Sequence, residues 1–436
     1  IIRMRAIFVL ALISFFGVLF GQLEWRPLPE APNLTGSLSK LDDVYFINSE
    51  MGWTLNSFGE VFKTVDGGIN WESKGNLGEF LRCIQFANEN VGYVGSLQGS
   101  FGGPPSSAKI FKTIDGGDHW IDLTASISPE PIGVCGISVV SEEVVYGCGA
   151  FYGPARVYKT LDGGDTWLNL DLSAYAQALV DVYFQDELVG YVVGFGDVDN
   201  PGGVILKTTD GGETWTRIFN DEETGLLWKI QVLDDEHFFV SVAGVNLEGG
   251  AKILVSNDAG VSWEAKQVPI DGTQLQGVGF LTPDHGFAGG FFTGLYETLD
   301  GGNNWDLVNV GANYNRFQKI NDSLMYASGH TIYKYSDDLM TSAQIEVVKE
   351  PDYNLEIFPN PVDDKLELSY TLGNNTYLSL SVVNSRGQLI HTFYDGWHPK
   401  GEFTAELETL SFSPGLYLVV FLTREGDIMK KVLIQH

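Results

Sequence analysis

A ten-residue motif that returns six times is the feature that most constrains how this chain of 436 residues folds. Each copy runs from an apolar or aromatic residue, usually through Lys-Thr, to Asp-Gly-Gly (Asp-Ala-Gly in the fifth copy) and ends at a tryptophan. Successive copies lie 42 to 49 residues apart, and they end at Trp71, Trp120, Trp167, Trp215, Trp263 and Trp305. Such a period indicates stacked structural units, none of which buries its apolar face alone.

Each repeat is predicted to be four strands. A second pattern lies upstream of the motif, for example DVYFINSEMGW from residue 43 and DVYFQDELVGYVVG from residue 181. The order is strand, acidic or Asn-containing turn, strand, variable loop, strand, Asp-Gly-Gly turn, and a last strand that begins at the tryptophan. Four strands in 40–50 residues is the content of one β-propeller blade, so the predicted fold class is all-β.

A seventh blade is predicted without its own motif. Residues 315–338 supply three strands, and the missing fourth strand resembles the N-terminal segment 23–28, which contains Trp25. We therefore predict that this N-terminal strand completes the last blade, so that a seven-bladed ring over 22–336 has no open sheet edge at its seam.

The acidic residue of the motif is predicted to have a structural role. An aspartate in a turn accepts hydrogen bonds from nearby backbone N–H groups, the paired glycines supply positive φ, and the tryptophan packs between strands. No catalytic role is therefore predicted for the six aspartates, which are Asp66, Asp115, Asp162, Asp210, Asp258 and Asp300.

The two ends of the chain differ from the repeats. Residues 1–21 have a basic start and an apolar stretch of about 15 residues, which predicts a secretory signal peptide. Residues 337–353 lack the blade pattern and are predicted to be a linker, and 354–436 show alternation typical of a small Ig-like β-sandwich. In an exported protein, Cys135 and Cys148 could form a disulfide across a hairpin, or all three cysteines could stay as buried thiols.

The tail resembles the C-terminal sorting domain (type A) of the type IX secretion system of Bacteroidota. The residues that carry the resemblance are the motif residues Pro359, Asn360, Pro361, Gly415, Lys430 and Lys431. The resemblance implies a partner in the secretion machinery. It also implies passage through the periplasm to the surface of a Gram-negative bacterium or beyond, with no transmembrane segment in the mature protein.

The repeats resemble the Asp-box (BNR-type) propeller superfamily. Its members include sialidases, xyloglucan-active glycosidases, sortilin-type receptors and the seven-bladed photosystem II assembly factors, and the even spacing looks most like the last of these. A fold shared by so many functions does not determine which one this chain has.

Charge narrows the classes of partner. The chain has 26 Lys and Arg against 56 Asp and Glu, a formal net charge of −30. A chain this acidic lacks the excess of positive charge that attracts a phosphate backbone, so no nucleic-acid partner is predicted. The 44% hydrophobic content excludes wholesale disorder.

The predicted function is recognition of a glycan, a peptide or an envelope protein. Long loops between the second and third strands of the blades favour binding there, because loops on a rigid ring commonly carry function. Aromatic or basic residues at predicted loop or strand-entry positions are the candidate ligand contacts, namely Arg82, Phe101, Tyr152, Arg156, Trp228, Tyr314 and Arg316.

The alternative function is an extracellular glycoside hydrolase, sialidase-like or xyloglucanase-like. Such an enzyme needs two carboxylates that face each other across a cleft, and the sequence by itself identifies no such pair. No catalytic residue, cofactor or metal cluster is predicted, although Asp197, Asp199 and Asn200 could contribute oxygens to a calcium ion.

Overall fold

The computed structural model describes residues 23–34, 40–97, 108–243, 250–270, 275–290, 293–337, 353–373, 375–384, 389–423 and 427–435. The predicted signal peptide, most of the predicted linker and Phe101 lie outside these residues. Within them the elements are strands, with a single 3₁₀ turn at Thr124–Ser126.

The propeller strands follow one another in chain order. They are β1 (Glu24–Pro27), β2 (Leu41–Phe46), β3 (Gly52–Asn56), β4 (Glu60–Thr64), β5 (Glu72–Asn76), β6 (Phe80–Phe86), β7 (Gly92–Leu97), β8 (Ile110–Thr113), β9 (Ile121–Asp122), β10 (Gly136–Val139), β11 (Val145–Gly149), β12 (Arg156–Thr160), β13 (Leu168–Asp171), β14 (Ala176–Phe184), β15 (Gly190–Gly196), β16 (Gly203–Thr208), β17 (Thr216–Asp221), β18 (Leu226–Val232), β19 (Phe238–Ala243), β20 (Ala251–Ser256), β21 (Glu264–Val268), β22 (Leu275–Phe280), β23 (Gly286–Gly290), β24 (Leu295–Thr298), β25 (Asp306–Val308), β26 (Arg316–Asn321), β27 (Leu324–Ser328) and β28 (Ile332–Ser336). The tail contains β29 (Glu356–Phe358), β30 (Lys365–Leu372), β31 (Thr376–Asn384), β32 (Leu389–His398), β33 (Gly401–Glu408), β34 (Gly415–Thr423) and β35 (Asp427–Ile434).

Seven four-stranded antiparallel sheets form the blades of the propeller. Blade 1 is β2-β3-β4-β5, the next five blades follow the same meander, and blade 7 has the order β1-β28-β27-β26. The predicted all-β class and the seven-bladed propeller are therefore confirmed. The domain boundaries proposed from the sequence stay predictions.

The ring is closed by the N-terminal strand. Trp25 pairs with Tyr335, and β1 runs antiparallel to β28 along its whole length. Trp25 is buried, and the centroid of its ring lies 5.2 Å from that of Phe287 and 5.8 Å from that of Phe317. The predicted closure is confirmed, and an aromatic cluster holds it.

Neighbouring blades pack through a repeated aromatic stack. The phenylalanine that ends an inner strand lies flat against an aromatic residue on the second strand of the preceding blade. Phe46 lies 3.7 Å from Tyr326 and Phe86 lies 3.6 Å from Trp53, centroid to centroid. A Cβ on Gly52 would lie 2.5 Å from the Phe46 ring, so the glycine of this pattern makes room for the stack.

The motif turns are held by the side chains that define them. In the first motif, Asp66 Oδ1 accepts hydrogen bonds from the Thr64 hydroxyl at 2.8 Å and from the Asn70 N–H at 2.9 Å, and Asp66 Oδ2 accepts one from Asn70 Nδ2. The other five aspartates repeat this arrangement. Trp71 Nε1 donates to the Gly68 carbonyl at 3.1 Å, which closes the turn.

The three cysteines are free thiols in the interior. Cys83, Cys135 and Cys148 belong to three different hydrophobic clusters of the ring. The disulfide considered for the hairpin is therefore absent from the structure, because the two side chains pack into different clusters.

The tail strands form two sheets around one core. Sheet β29-β30-β33 and sheet β32-β31-β34-β35 share a cluster that includes Leu368, Leu380 and Phe421. The Asn360 side chain donates to the Lys431 carbonyl at 2.8 Å and accepts from the Leu433 N–H at 3.0 Å. The first and last landmarks of the sorting motif are thus in direct contact. The Ig-like character of this part stays a prediction.

Candidate functional site

Polar side chains reach the propeller axis because the inner strands carry bulges. The register between first and second strands shifts at Asp42, Arg82 and Gln276, and at the same place in blades 4 and 5. A bulge sets two residues of one strand against one residue of its partner and re-aims a side chain. Charged residues therefore enter a channel wall whose other residues are mostly apolar.

One arginine joins three blades at the axis. Arg316 of blade 7 donates from Nη1 and Nη2 to both carboxylate oxygens of Asp181 in blade 4, at 3.0 and 2.9 Å. Its Nε donates to Asp43 of blade 1 at 3.0 Å. Asp181 also accepts the Ile230 N–H at 3.1 Å, and Lys229 Nζ lies 3.6 Å from its Oδ1. Burial opposes ionisation of Asp181, but Arg316 and Lys229 outweigh it and lower the pKa of this carboxyl.

A cavity of about 300 Å³ lies on the axis next to this arginine. All seven inner strands line it, six of them through residues in their middle and C-terminal parts and β26 through Arg316 to Lys319. These strands lead into turns that contact the motif turns, as in the bond from the Gly67 N–H to the Glu50 carbonyl at 2.7 Å. The cavity therefore lies at the motif-turn end of the channel.

The cavity lining is more cationic than the rest of this acidic chain. Lys229, Arg316 and Lys319 contribute three positive charges, and Asp43 is the one carboxylate among the described residues that line it. Both Asp43 oxygens are already engaged, Oδ1 by Val44 N–H and Arg316 and Oδ2 by the Ile84 N–H. Each of the three cations also has a carboxylate partner, Asp181 for Lys229 and Arg316 and Asp322 at 2.7 Å for Lys319. The lining is therefore suited to bind polar groups.

The opposite end of the channel holds a second set of charges. Arg82 Nη1 forms an ion pair with Asp42, and Lys40 donates to the side chains of Gln276 and Asn315. Burial lowers the pKa of Lys40 to about 7, although Asp42 opposes this shift. Burial likewise raises the pKa of Asp42 against the effect of Arg82. These groups are all buried in the interior.

Two of the ligand contacts predicted from the sequence meet at this end. The Arg82 guanidinium lies 5.7 Å from the Trp228 ring. Both residues are buried, which corrects the expectation that they are exposed to a ligand on the loop face. Tyr152 is exposed and lies against Phe151, which in turn lies 5.8 Å from Trp228.

The remaining predicted contacts are dispersed. Arg156 forms an ion pair with Asp171 at 2.9 Å on the outer part of blade 3. Tyr314 lies just before β26, at a strand entry as predicted, but its side chain is fully buried in the aromatic cluster of the seam. Arg316 lies at the axis, and Phe101 lies outside the described residues. The roles of these residues in ligand binding stay predictions.

The possible calcium ligands form a tight acidic turn. Asp197 accepts hydrogen bonds from the Asp199 and Asn200 N–H groups, both at 2.9 Å, and from Arg217 Nη2 at 2.6 Å. Within the described ranges, no group of three or more His, Cys, Asp or Glu side chains is arranged to hold a metal ion. Nor does that part of the chain contain a helix long and apolar enough to cross a membrane.

Sequence reasoning missed the residues that matter most at the axis. Lys40, Asp43, Asp181, Lys229 and Lys319 were not singled out. A signal was present, because Asp or Lys interrupts otherwise apolar inner-strand runs such as LDDVYF and LWKIQV. A charged residue inside a run that must be buried indicates a paired charge or a site.

Two family models match parts of the chain. Residues 33–170 match the family described as Photosynthesis system II assembly factor YCF48. Residues 356–435 match the secretion system C-terminal sorting domain. The chain thus joins a propeller similar to the first family to a type IX sorting tail, which indicates export to the cell surface or outside. No curated protein sequence matches significantly.

Solved structures share the propeller fold at low sequence identity. A structure of YCF48 bound to D1 peptide is 19% identical with a TM-score of 0.53, and the match covers 72% of this chain and 97% of that one. YCF48 from Cyanidioschyzon merolae is 16% identical with the same score, over 72% and 98%. The GH74 xyloglucanase from Xanthomonas campestris is 11% identical with a score of 0.53, over 80% and 60%. These similarities establish the fold alone.

Proposed function

We propose that this chain is an exported recognition protein whose propeller binds a glycan, a peptide or an envelope protein at its axial cavity. The observation that carries the proposal is the cavity of about 300 Å³, on which polar side chains from six of the seven blades converge. Concave sites of roughly this size with a few convergent polar groups are typical of ligand-binding pockets. A peptide is included among the ligands because a propeller of the same fold has been solved with one.

The cavity chemistry favours binding over glycoside hydrolysis. A glycosidase needs a carboxylic acid and a facing carboxylate that share the substrate between them. Asp43 has both oxygens bonded, and Asp181 is held ionised by Arg316 and Lys229. Neither group is set up to give a proton to a leaving group.

Binding to an array of xyloglucan fragments, sialyl oligosaccharides and short peptides of acidic, neutral and basic composition tests the proposal. We expect measurable affinity for one class, and for its best member we expect Lys319→Glu at the cavity wall to weaken binding at least about tenfold by reversing a charge. Tyr152→Ala, at the other end of the channel, is the matched control and should leave affinity unchanged.

Two outcomes would overturn the proposal. If Tyr152→Ala weakens binding and Lys319→Glu does not, the ligand site is on the loop face predicted from the sequence. If the purified protein releases reducing sugar from xyloglucan or sialic acid from sialosides above background, the chain is an enzyme.

A further inference from the structure

Seven charged side chains form one connected cluster on the propeller axis, called here the axial cluster. Six of them are at most 6% exposed, and three members, Asp43, Lys229 and Arg316, also line the cavity. The members of the cluster are Lys40, Asp42, Asp43, Arg82, Asp181, Lys229 and Arg316. They come from blades 1, 2, 4, 5 and 7, so the cluster joins most of the ring.

The axial cluster has an excess of positive charge. Its four cations face three carboxylates, which leaves a formal charge of +1 in the interior. A buried charge without a counter-charge is costly, because the low dielectric does not replace its hydration. Neutrality requires either one bound negative charge or the loss of a proton, and the lowered pKa of Lys40 makes it the group that would lose one.

Donors in the cluster are left without acceptors. The Nε and Nη2 atoms of Arg82 and the Nζ atom of Lys229 are buried and have no hydrogen-bond partner. Arg82 uses Nη1 for Asp42, so its free atoms are the two that form the side edge of the guanidinium. That edge binds anions with two parallel N–H bonds. The Cys135 thiol interacts with the guanidinium through its side chain but is only a weak acceptor. Among the described atoms of the cluster, Oδ2 of Asp42 is also buried without a hydrogen-bond partner.

The surroundings of this edge limit what could bind. The Phe80 and Trp228 rings flank the guanidinium at 5.9 and 5.7 Å, and Leu97, Ala150 and Val180 pack against Trp228. We infer that the axial cluster holds one small monovalent anion, of the size of chloride or formate, on the Nε–Nη2 edge of Arg82. The ion completes the charge balance of the cluster while Lys40 is protonated.

The site is tested by the anion dependence of thermal unfolding of the full chain. Protein dialysed into sodium gluconate is titrated with chloride or formate at constant ionic strength and pH 6, below the pKa of about 7 of Lys40, so that all four cations of the cluster are charged. Because the ion binds the folded state, the midpoint should rise by about 2–3 °C per tenfold increase in chloride above its dissociation constant. Gluconate is too large to enter and serves as the reference.

Variants identify the residue involved. Arg82→Gln should abolish the chloride dependence, whereas Arg156→Gln, which removes an arginine paired on the outer part of blade 3, should retain it in full. If Arg82→Gln does not fold, crystals of the unaltered protein grown in bromide give a second measurement, with an anomalous peak expected against Arg82. Equal midpoints in chloride and gluconate, or the absence of that peak, would show that water alone occupies the site and would overturn the inference.

Discussion

At the scale of single residues, the fifth motif carries an alanine where the other five carry the first glycine. Ala259 occupies the place of the first glycine and is held at φ 60°, while Gly67 and Gly211 at equivalent positions have φ 71°. A side chain in this region is strained by a close approach of its Cβ to the backbone. The hydrogen bonds to Asp258 therefore hold this turn in the same conformation as the others, although alanine is unfavourable there.

Ala259→Gly should therefore stabilise the protein by about 1 kcal/mol. Chemical denaturation followed by tryptophan fluorescence measures the change. Ala265→Gly in β21 is the control, and it should destabilise by a similar amount because glycine weakens a strand. A loss of stability in Ala259→Gly would contradict the account of the motif turn.

The motif aspartates also predict acid sensitivity. Hydrogen bonds lower the pKa of Asp115, Asp162 and Asp210 to about 2. The largest contribution comes from the His119 N–H at Asp115, from the Thr166 hydroxyl at Asp162 and from the Thr214 hydroxyl at Asp210. Since these pKa values lie below the unfolded value near 3.8, the stabilisation is full above about pH 4 and is lost as the pH falls towards 2.

Thermal midpoints measured between pH 5 and 2 check this expectation. Thr166→Ala removes the largest contribution at Asp162, so its midpoint should fall less steeply with acid than that of the unaltered protein. Thr404→Ala, at an exposed position of the tail, should leave the slope unchanged. Identical slopes for all three proteins would refute the role of this hydrogen bond.

At the scale of elements, closure of the ring depends on a four-residue strand. Trp25 fills the seam between blades 6 and 7, where it contacts Phe287, Phe317 and Tyr335. Trp25→Ala should cost about 3–5 kcal/mol and expose the edge of β28 to aggregation. Leu23→Ala, at a partly exposed neighbouring position, should cost far less, and equal losses in unfolding midpoint would refute the importance of the seam.

The repeat elements were predictable from sequence because their determinants are local. Each motif carries its own aspartate, glycines and tryptophan, so six turns and their strands follow from residues within ten positions of one another. The axial cluster was not predictable in the same way. Arg316 meets Asp43 and Asp181 only after the ring has closed, and a single charged residue in an apolar strand does not identify its partners.

At the scale of the whole molecule, the sorting tail should be separable from the propeller. The described sheets of the tail have their own core, and the ring is closed without them. Deletion of 354–436 should leave the propeller folded, with unchanged tryptophan fluorescence, but retained in the periplasm of a bacterium with a type IX system. Unchanged surface display of the truncated chain would refute the sorting role, and an unfolded product would refute the independence of the propeller.

The position of the closing strand at the N-terminus also determines when the ring can close. The paired strands β1 and β28 lie roughly 310 residues apart in the chain, so the first strand to be synthesised has no partner until the last blade follows it. If the chain crosses the inner membrane with its N-terminus first, the whole propeller sequence up to β28 must cross before the ring can close. If the predicted signal peptide is cut near residue 21, only a few residues precede Trp25, and the site of that cut decides whether a closing strand remains.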